Sequence, residues 1–226
     1  MIFTFWEGQM PAYIKMCLET WKFDYTVLNY RNVLDYTDFD IERAKRFTFA
    51  QISDAVRAHV LRDNGGWWLD ADTIIVTGKL PEENIIGDPD TRTHSTGVSH
   101  FTEDAKDFFE KWSEYQDRVI ADPYSSHHWS VLVNKFTDTY VPEHEEVTIH
   151  DIRKCRPELD MVKGNSSSQS KYENFYFANR YHLADVEPID MLVLHNSWTP
   201  HWYRRMSVES IMKDRCTMSN ILREVV

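Results

Sequence analysis

The stretch that decides the fold is residues 2–30, IFTFWEGQMPAYIKMCLETWKFDYTVLNY. It opens with a β-prone run, residues 2–6, which ends at a Glu-Gly turn. Pro11 then suits the first turn of a helix. The apolar residues that follow share one helical face: Ile14, Cys17, Leu18 and Trp21. Residues 25–30 return to strand character, so the order strand, helix, strand predicts a βαβ unit and an α/β fold whose parallel sheet is covered by helices.

Size and composition predict a single cytoplasmic domain, residues 1–226. The chain is 42% hydrophobic and 27% charged, which is ordinary for a soluble globular protein. It has no run of the ~18 apolar residues that a membrane span needs, and its N-terminus does not resemble a secretion signal. Three widely spaced cysteines, Cys17, Cys155 and Cys216, predict buried thiols in a reducing compartment.

The net charge of −11 argues against nucleic acid as a partner. It also means that any phosphate ligand needs local cations, a helix N-terminus or a divalent metal.

A second helix is predicted over residues 49–64, and Gly65-Gly66 ends it with residues that a left-handed cap prefers. Its predicted apolar stripe is Phe49, Ile52, Val56 and Val60, with Asp54 and Arg57 away from that stripe. Strands are predicted at 67–69 and 73–76, on either side of Asp70 and Asp72.

Asp70 and Asp72 form the first candidate site, which we interpret as holding Mn²⁺ or Mg²⁺. On an extended backbone, residues two apart point to the same side, and two such carboxylates repel each other unless a cation lies between them. Oxygen ligands suit both metals. Spacing alone is weak support, since Asp38/Asp40 and Asp88/Asp90 share it and are better explained as solvated loops. The glycine cap and the surrounding strand residues distinguish the Asp70/Asp72 pair.

Asp54 and Arg57, one helical turn apart, form the second candidate site. An intrahelical ion pair, which is common on helix surfaces and worth ~0.3–0.5 kcal/mol, also explains them.

Together these residues resemble a family. The pattern Ser-Asp-x-x-Arg (53–57), a helix, and then Gly-Gly-x-Trp-Leu-Asp-x-Asp (65–72) resembles the DXD-containing retaining glycosyltransferases. These include capsular polysaccharide synthesis enzymes, relatives of the yeast initiating mannosyltransferase, and the glucosylating domains of clostridial toxins. The resemblance covers residues 1 to about 76.

The resemblance implies a GT-A fold with a Rossmann-like, mostly parallel sheet. Residues 1–80 would form the nucleotide-sugar half, and residues 81–226 the acceptor half with the closing segment. It also implies the donor-binding residues: Phe5, Trp6, Ser53, Asp54, Arg57, Trp68, Asp70, Ser197 and Trp198. Of these, Trp6 would stack on the base, and Asp54 and Arg57 would hold sugar hydroxyls. Asp70, Asp72 and Arg57 would be catalytic.

The third candidate site is residues 195–198, which follow a short buried strand at 191–194. A histidine in this position is often structural. With the resemblance, we expect His195 to join Asp70 and Asp72 as a metal ligand, and Ser197 and the Trp198 N–H to donate to the leaving diphosphate.

The predicted function is transfer of a hexose from a UDP-sugar, with retention, to a glycan or lipid-linked glycan in surface or capsular polysaccharide synthesis. Peripheral membrane contact through a mildly basic C-terminal helix fits this function. Two alternatives stay open: a non-catalytic sugar-nucleotide-binding module, and a haloacid-dehalogenase-type phosphatase, because Leu-Asp-Ala-Asp-Thr (69–73) loosely resembles its nucleophile motif.

The remaining sequence is less informative. Helices are predicted from residue 106, over 130–136, and from Ser207 to the C-terminus, and an exposed loop is predicted at 163–171. His127 and His128 are candidates for an acceptor-facing pocket.

Overall fold

The structure is a computed structural model that describes residues 1–88, 94–125, 128, 130–186 and 189–226. Its strands are β1 (Ile2–Phe5), β2 (Tyr25–Leu28), β3 (Trp67–Leu69), β4 (Thr73–Ile75), β5 (Ile85–Gly87), β6 (His94–His100), β7 (Ile149–Asp151) and β8 (Met191–Val193). Its α-helices are α1 (Ala12–Glu19), α2 (Ile41–Ala44), α3 (Phe49–Asn64), α4 (Lys106–Ala121), α5 (Asn134–Tyr140), α6 (Glu158–Met161), α7 (Ser168–Glu173), α8 (His201–Arg204), α9 (Val208–Lys213) and α10 (Thr217–Val225).

The main sheet has the strand order β2-β1-β3-β6-β5-β7. β1 is parallel to both β2 and β3, β5 is parallel to β7, and β6 is antiparallel to both of its neighbours. Five of these six strands therefore run in one direction. This arrangement confirms the predicted α/β class with a Rossmann-like, mostly parallel sheet flanked by helices.

The chain divides into two compact units. Unit 1 comprises residues 1–8, 23–70 and 81–151, and it contains the main sheet with α2 to α5. Unit 2 comprises residues 9–22, 71–80 and 152–226, and it contains the antiparallel pair β4-β8, α1 and the helices after α5. The prediction of a single domain divided near residue 80 stays a prediction.

The helix between β1 and β2 follows the predicted pattern but belongs to unit 2. α1 packs against β4 and α9 through its buried face, which includes Ile14, Cys17 and Leu18. In unit 1, α3 packs on β1 and β3 and is itself covered by α4.

α3 has the predicted bounds. Thr48 caps its N-terminus, since its hydroxyl accepts from the amide of Gln51 and the Gln51 side chain accepts from the amide of Thr48. Gly65 ends it with a positive φ of 66°. Gly66 has a φ of 81°, and a Cβ there would lie 2.5 Å from the carbonyl oxygen of Met1, so only glycine fits.

The predicted apolar stripe of α3 is partly wrong. Phe49 is 59% exposed, whereas Arg57, placed away from the stripe, is 2% exposed. Because α3 lies between the sheet and α4, it buries more than one face, and the position of Arg57 becomes interior.

Several boundaries also differ from prediction. The helix from residue 106 is confirmed, and the one predicted at 130–136 is found at 134–140. The loop predicted at 163–171 contains the start of α7, which Ser167 caps by accepting from the amide of Ser170. The single last helix is in fact α9 and α10, separated where Asp214 accepts the amide of Cys216.

The three cysteines are buried and form no disulfide, as predicted. None of the described helices is long and apolar enough to cross a membrane. His127 and Asp90 lie outside the described residues.

Candidate functional site

In unit 1, a buried guanidinium joins the residues of the second candidate site to Asp70. Arg57 Nη1 lies 3.1 Å from Asp54 Oδ1 and donates to the hydroxyl of Thr96 on β6. Its Nη2 donates to Asp70 Oδ1 at 2.6 Å. The Arg57 side chain is 3% exposed, whereas the side chains of Asp54 and Asp70 are 22% and 34% exposed. The pair is therefore part of a four-residue cluster, which we call the Arg57 cluster (Asp54, Arg57, Asp70 and Thr96). The intrahelical ion pair is present, but its guanidinium is buried and not on the helix surface.

Asp70 is held from three directions within unit 1. The indole Nε1 of Trp68 donates to Asp70 Oδ1 at 2.9 Å, and the Arg57 guanidinium lies over the Trp68 ring at 5.2 Å. The amide of Asp70 donates to the carbonyl of Gly97 at 2.7 Å. Trp68 is fully buried, so it positions the carboxylate from behind.

Gly97 is a site residue that the sequence analysis missed. A Cβ at Gly97 would lie 2.7 Å from Asp70 Oδ2, which is closer than real Cβ contacts. Its backbone needs no positive φ, so the requirement for glycine comes from the carboxylate. A glycine inside the strand pattern at 94–100 is the signal that could have found it, because such a glycine often marks a close approach.

The charges of the cluster are unequal. Two carboxylates face one guanidinium, and the Arg57 Nε has no hydrogen-bond partner among the described residues. Burial raises the pKa of Asp54 from 3.8 to about 7, with the Arg57 charge opposing this rise and the Asp70 charge adding to it. Near neutral pH, Asp54 therefore exists both as a carboxylate and as a carboxylic acid, so it can accept or donate a hydrogen bond.

The other predicted donor residues of unit 1 lie at β1 and on α3. Phe5 is buried and packs edge-on against Tyr30 with ring centroids 5.9 Å apart. Trp6 follows the end of β1 and is half-buried, and its indole Nε1 has no hydrogen-bond partner in the described part of the chain. Ser53 is half-buried on α3. The role of Trp6 beside a base stays a prediction.

Asp72 belongs to unit 2, and the predicted geometry of the Asp70/Asp72 pair is wrong. β3 ends at Leu69, residues 71 and 72 form a turn, and β4 begins at Thr73. The alternation of an extended strand therefore does not apply to this pair. Asp72 is 9% exposed, and its Oδ2 accepts the amide of Asn196 at 2.6 Å.

The segment 195–198 is fixed within unit 2 by Asp72 and α1. The Asn196 side chain accepts a hydrogen bond from the hydroxyl of Tyr13 on α1. Burial raises the pKa of Tyr13 well above its usual range, and the charge of Asp72 raises it further, so this hydroxyl stays a donor. The turn closes where the amide of Trp198 donates to the carbonyl of His195 at 3.0 Å. The Trp198 backbone N–H is thus already used, and its indole N–H remains for a ligand.

His195 is half-buried and neutral. Its ring lies against the ring of Trp198 with centroids 3.9 Å apart. Burial and, to a smaller extent, the nearby charge of Arg156 together lower its pKa to about 3. Its Nε2 has no hydrogen-bond partner among the described residues. Ser197, the next predicted donor, is exposed.

A buried ion pair behind Trp198 also escaped the sequence analysis. Arg156 Nε donates to Glu158 Oε1 at 2.8 Å, and both side chains are nearly inaccessible. The Arg156 guanidinium lies 5.4 Å from the centre of the Trp198 ring, in cation-π range. Burial raises the pKa of Glu158, and Arg156 opposes the rise. Two charges close together in the sequence are ordinary, so no local pattern predicts that these two are buried.

The donor set of unit 2 fits part of a divalent metal site. No group of three or more His, Cys, Asp or Glu side chains suited to a metal occurs among the described residues. The carboxylate of Asp72 and the unpartnered, neutral imidazole nitrogen of His195 are suitable ligands for Mn²⁺. Magnesium and similar ions usually take one or two protein carboxylates and complete their shell with substrate phosphates and water. The role of these two residues as metal ligands stays a prediction.

The other described aspartate pair, Asp38 and Asp40, behaves as a solvated loop, as predicted. The Asp38 side chain is 87% exposed and pairs with Arg62, and Asp40 caps α2 by accepting the amide of Arg43. The same Asp-x-Asp spacing therefore occurs in an unrelated setting.

Comparison with models of protein families gives a match. A family model described as capsular polysaccharide synthesis protein matches residues 1–185, which include the Arg57 cluster and both aspartates. A search of curated proteins found no match.

Proposed function

This chain belongs to the family of capsular polysaccharide synthesis proteins, and on that basis we propose that it is a metal-dependent retaining glycosyltransferase. It moves a hexose from a UDP-sugar to a hydroxyl group of a glycan or lipid-linked glycan. The proposal assigns sugar recognition to the Arg57 cluster of unit 1 and diphosphate recognition to Asp72 and residues 195–198 of unit 2.

The observation that carries the proposal is the Arg57 cluster. A buried guanidinium holds two partly exposed carboxylates, Asp54 and Asp70, in fixed positions. Carboxylates held this way accept hydrogen bonds from vicinal hydroxyls, the groups that distinguish one hexose from another. Ionic partners already occupy the inner side of each carboxylate, so the partly exposed side is available for a sugar.

In unit 2, two hydrogen-bond donors suit a diphosphate. The indole N–H of Trp198 and the hydroxyl of Ser197 can donate to phosphate oxygens, where negative charge grows as the glycosidic bond breaks. Mn²⁺ or Mg²⁺, held by Asp72 and His195, would neutralise that charge when bound. The assignment of Asp70 as a further metal ligand stays a prediction.

No protein nucleophile is assigned. The acceptor hydroxyl must lose a proton as it attacks, and in the proposed front-face reaction a leaving phosphate oxygen takes it. The chain's own residues then hold the sugar and exclude water. Asp54, with its pKa near 7, sits among the groups that hold the sugar.

The test is release of hexose from UDP-hexoses in the presence of Mn²⁺, first as slow hydrolysis and then with glycan acceptors. We expect Asp72→Ala to lower the rate of hexose release at least ~10²-fold. Removal of one charge-stabilising group from the active sites of other enzymes has an effect of this size. Asp38→Ala is the matched control, because it removes an aspartate of the same spacing that only pairs with Arg62 at the surface. Chelation of the metal should match Asp72→Ala.

The alternatives give different results in the same assay. A phosphatase releases phosphate from a simple phosphomonoester and leaves UDP-hexose intact. A binding module takes up UDP-hexose, as measured by calorimetry, without releasing sugar or phosphate. Wild-type activity in Asp72→Ala, or in chelator, would refute the proposed metal-dependent mechanism.

A further inference from the structure

A groove in unit 1 lies between the end of α4, the turn that follows it, and the start of α5. Its volume is 370 Å³. It is lined by Tyr115, Arg118, Val119, Asp122, Tyr124, Ser125, Val131 and Lys135. None of these residues belongs to the Arg57 cluster.

The turn that forms one wall is held in place by Arg46. The guanidinium of Arg46 donates to the carbonyls of Ile120 and Asp122 and to the hydroxyl of Ser125, at 2.6 to 3.0 Å. Within the turn, Asp122 Oδ1 accepts the amide of Tyr124 at 2.9 Å. The turn is therefore fixed before any ligand arrives.

The same turn presents an aromatic ring to solvent. Tyr124 is 93% exposed, the largest exposure among the exposed large apolar residues of the described chain. A fully exposed tyrosine ring leaves its apolar surface in water, which is unfavourable. Contact with a flat ligand face, such as that of a sugar ring, would remove that surface from water. Tyr115, whose hydroxyl donates to the carbonyl of Val131 at 2.9 Å, forms the opposite wall.

The cations of this groove are unpaired. Arg118 and Lys135 are exposed, and in the described part of the chain neither forms an ion pair. Asp122 is engaged by the amide of Tyr124, and Asp138, one turn after Lys135, contacts His94. The groove therefore carries two cations without an ion-pair partner and one carboxylate, that of Asp122, which keeps its charge.

A neighbouring groove of 490 Å³ shows the contrast. Its cations Arg43 and Arg62 pair with Asp40 and Asp38, at 3.6 and 2.9 Å. Arg118 also lines this larger groove, whose other two cations are already paired within the chain, whereas Lys135 lines only the smaller of the two.

We propose that the groove of 370 Å³ binds a hexuronic acid residue of the acceptor glycan. The sugar ring lies against Tyr124, and its carboxylate pairs with the planar guanidinium of Arg118 and with Lys135. A hexuronate suits the groove because its single charge is attached directly to the ring that the tyrosine contacts. The inference rests on the proposed function only where it calls the glycan an acceptor. The binding of a hexuronate in the groove does not depend on that function.

The groove is also tied to the Arg57 cluster within unit 1. The side chain of Gln116, next to Tyr115 on α4, donates to the carbonyl of Asp54 at 3.0 Å and to that of Leu132 at 2.9 Å. A ligand that holds α4 and the segment 131–135 together therefore contacts elements that also position Asp54.

The test is calorimetric binding of a short oligogalacturonate and of a neutral galactose oligomer of equal length to the intact chain. We expect the acidic oligomer to bind more tightly, and its affinity to fall as ionic strength rises from about 0.05 M to about 0.5 M. Arg118→Glu and Lys135→Glu should each lower its affinity about tenfold, since each replaces an attraction by a repulsion. Tyr124→Ala should weaken both oligomers.

The matched control is Lys106→Glu, which makes the same charge change at the other end of α4, where Lys106 faces Glu110. Equal weakening by this control would show that only net charge matters and would overturn the proposal. Equal affinity for the two oligomers, or preference for a phosphorylated oligosaccharide, would overturn it as well. Thermal unfolding of each variant identifies any loss that comes from misfolding, and Lys135→Gln then serves as the milder variant.

Hydrolysis of UDP-hexose by the same variants separates the two proposals. Retained hydrolysis with no binding of the acidic oligomer refutes the groove and leaves the proposed function intact. Binding of the acidic oligomer by a chain that hydrolyses no nucleotide sugar supports the groove and refutes the proposed function.

Discussion

Gly97→Ala tests whether the close contact between β6 and Asp70 sets the position of the carboxylate. The added Cβ would lie 2.7 Å from Asp70 Oδ2 and 3.4 Å from Asp70 Cγ. Carbon contacts are comfortable at 3.5–4.0 Å, so the carboxylate oxygen must retreat by about 0.8 Å or more.

The retreat is not free, because the other oxygen of Asp70 is held on two sides. Oδ1 accepts from Arg57 at 2.6 Å and from Trp68 at 2.9 Å. Rotation of the carboxylate lengthens at least one of these bonds. We expect the free energy of unfolding to fall by ~1–3 kcal/mol, as in other overpacked interiors. We expect the rate of sugar release to fall ~10²-fold, the effect of a misplacement of about 1 Å in an active site.

The assay has two readouts, denaturant unfolding and sugar release from UDP-hexose. Gly97→Ala is also made in an Asp70→Ala background, where the clash has no partner. The double-mutant cycle should then give an interaction free energy of ~1 kcal/mol or more.

Two results would refute the reasoning. If Gly97→Ala lowers the free energy of unfolding equally with and without the Asp70 side chain, the glycine is needed for the packing of β6 and not for the contact with Asp70. If stability falls as expected and sugar release stays at the wild-type rate, the position of Asp70 does not matter for the reaction.

Two further predictions concern buried charge. Because folding raises the pKa of Asp54 from 3.8 to about 7, the folded chain holds this proton more tightly than the unfolded chain. Its contribution to stability is therefore complete below about pH 4 and is lost progressively as the pH rises from about 4 to about 7. Asp54→Asn should flatten the unfolding free energy over that range, and an unchanged slope would contradict the prediction. Arg156→Met should lower the free energy of unfolding by ~3 kcal/mol because it leaves Glu158 buried without its partner. Arg156→Met with Glu158→Leu should recover most of that loss in the same denaturant titration, and a double variant less stable than the single one would contradict the account.

The parts of the fold predicted correctly are those with local signals. The β-prone run at residues 2–6, the helix over 49–64 and its glycine cap each carry their own propensity and cap, and the structure has them within one or two residues. The resemblance located Asp54, Arg57 and Asp70 as one group, and in the structure they are joined by hydrogen bonds and ion pairs.

The parts that were missed depend on packing between distant segments. The exposure of Phe49 and the burial of Arg57 follow from the packing of α4 on α3. No pattern within residues 49–64 indicates that another helix packs there. The Arg156–Glu158 pair is buried by residues far away in the sequence, so its charges read as surface charges. Gly97 is intermediate, because a glycine within a strand was a usable signal.

The Asp70-x-Asp72 spacing has a different physical basis from the one the sequence suggested. An extended strand would place the two carboxylates on one face, but the chain turns at residues 71 and 72. Asp70 ends unit 1 and bonds to Arg57 and Trp68, and Asp72 lies in unit 2 and accepts the amide of Asn196. Each aspartate is thus fixed by its own unit, and the single residue between them is where the chain passes from one unit to the next. Asp38 and Asp40 have the same spacing but lie within one unit. The spacing does not record this difference, so spacing alone could not separate the two pairs.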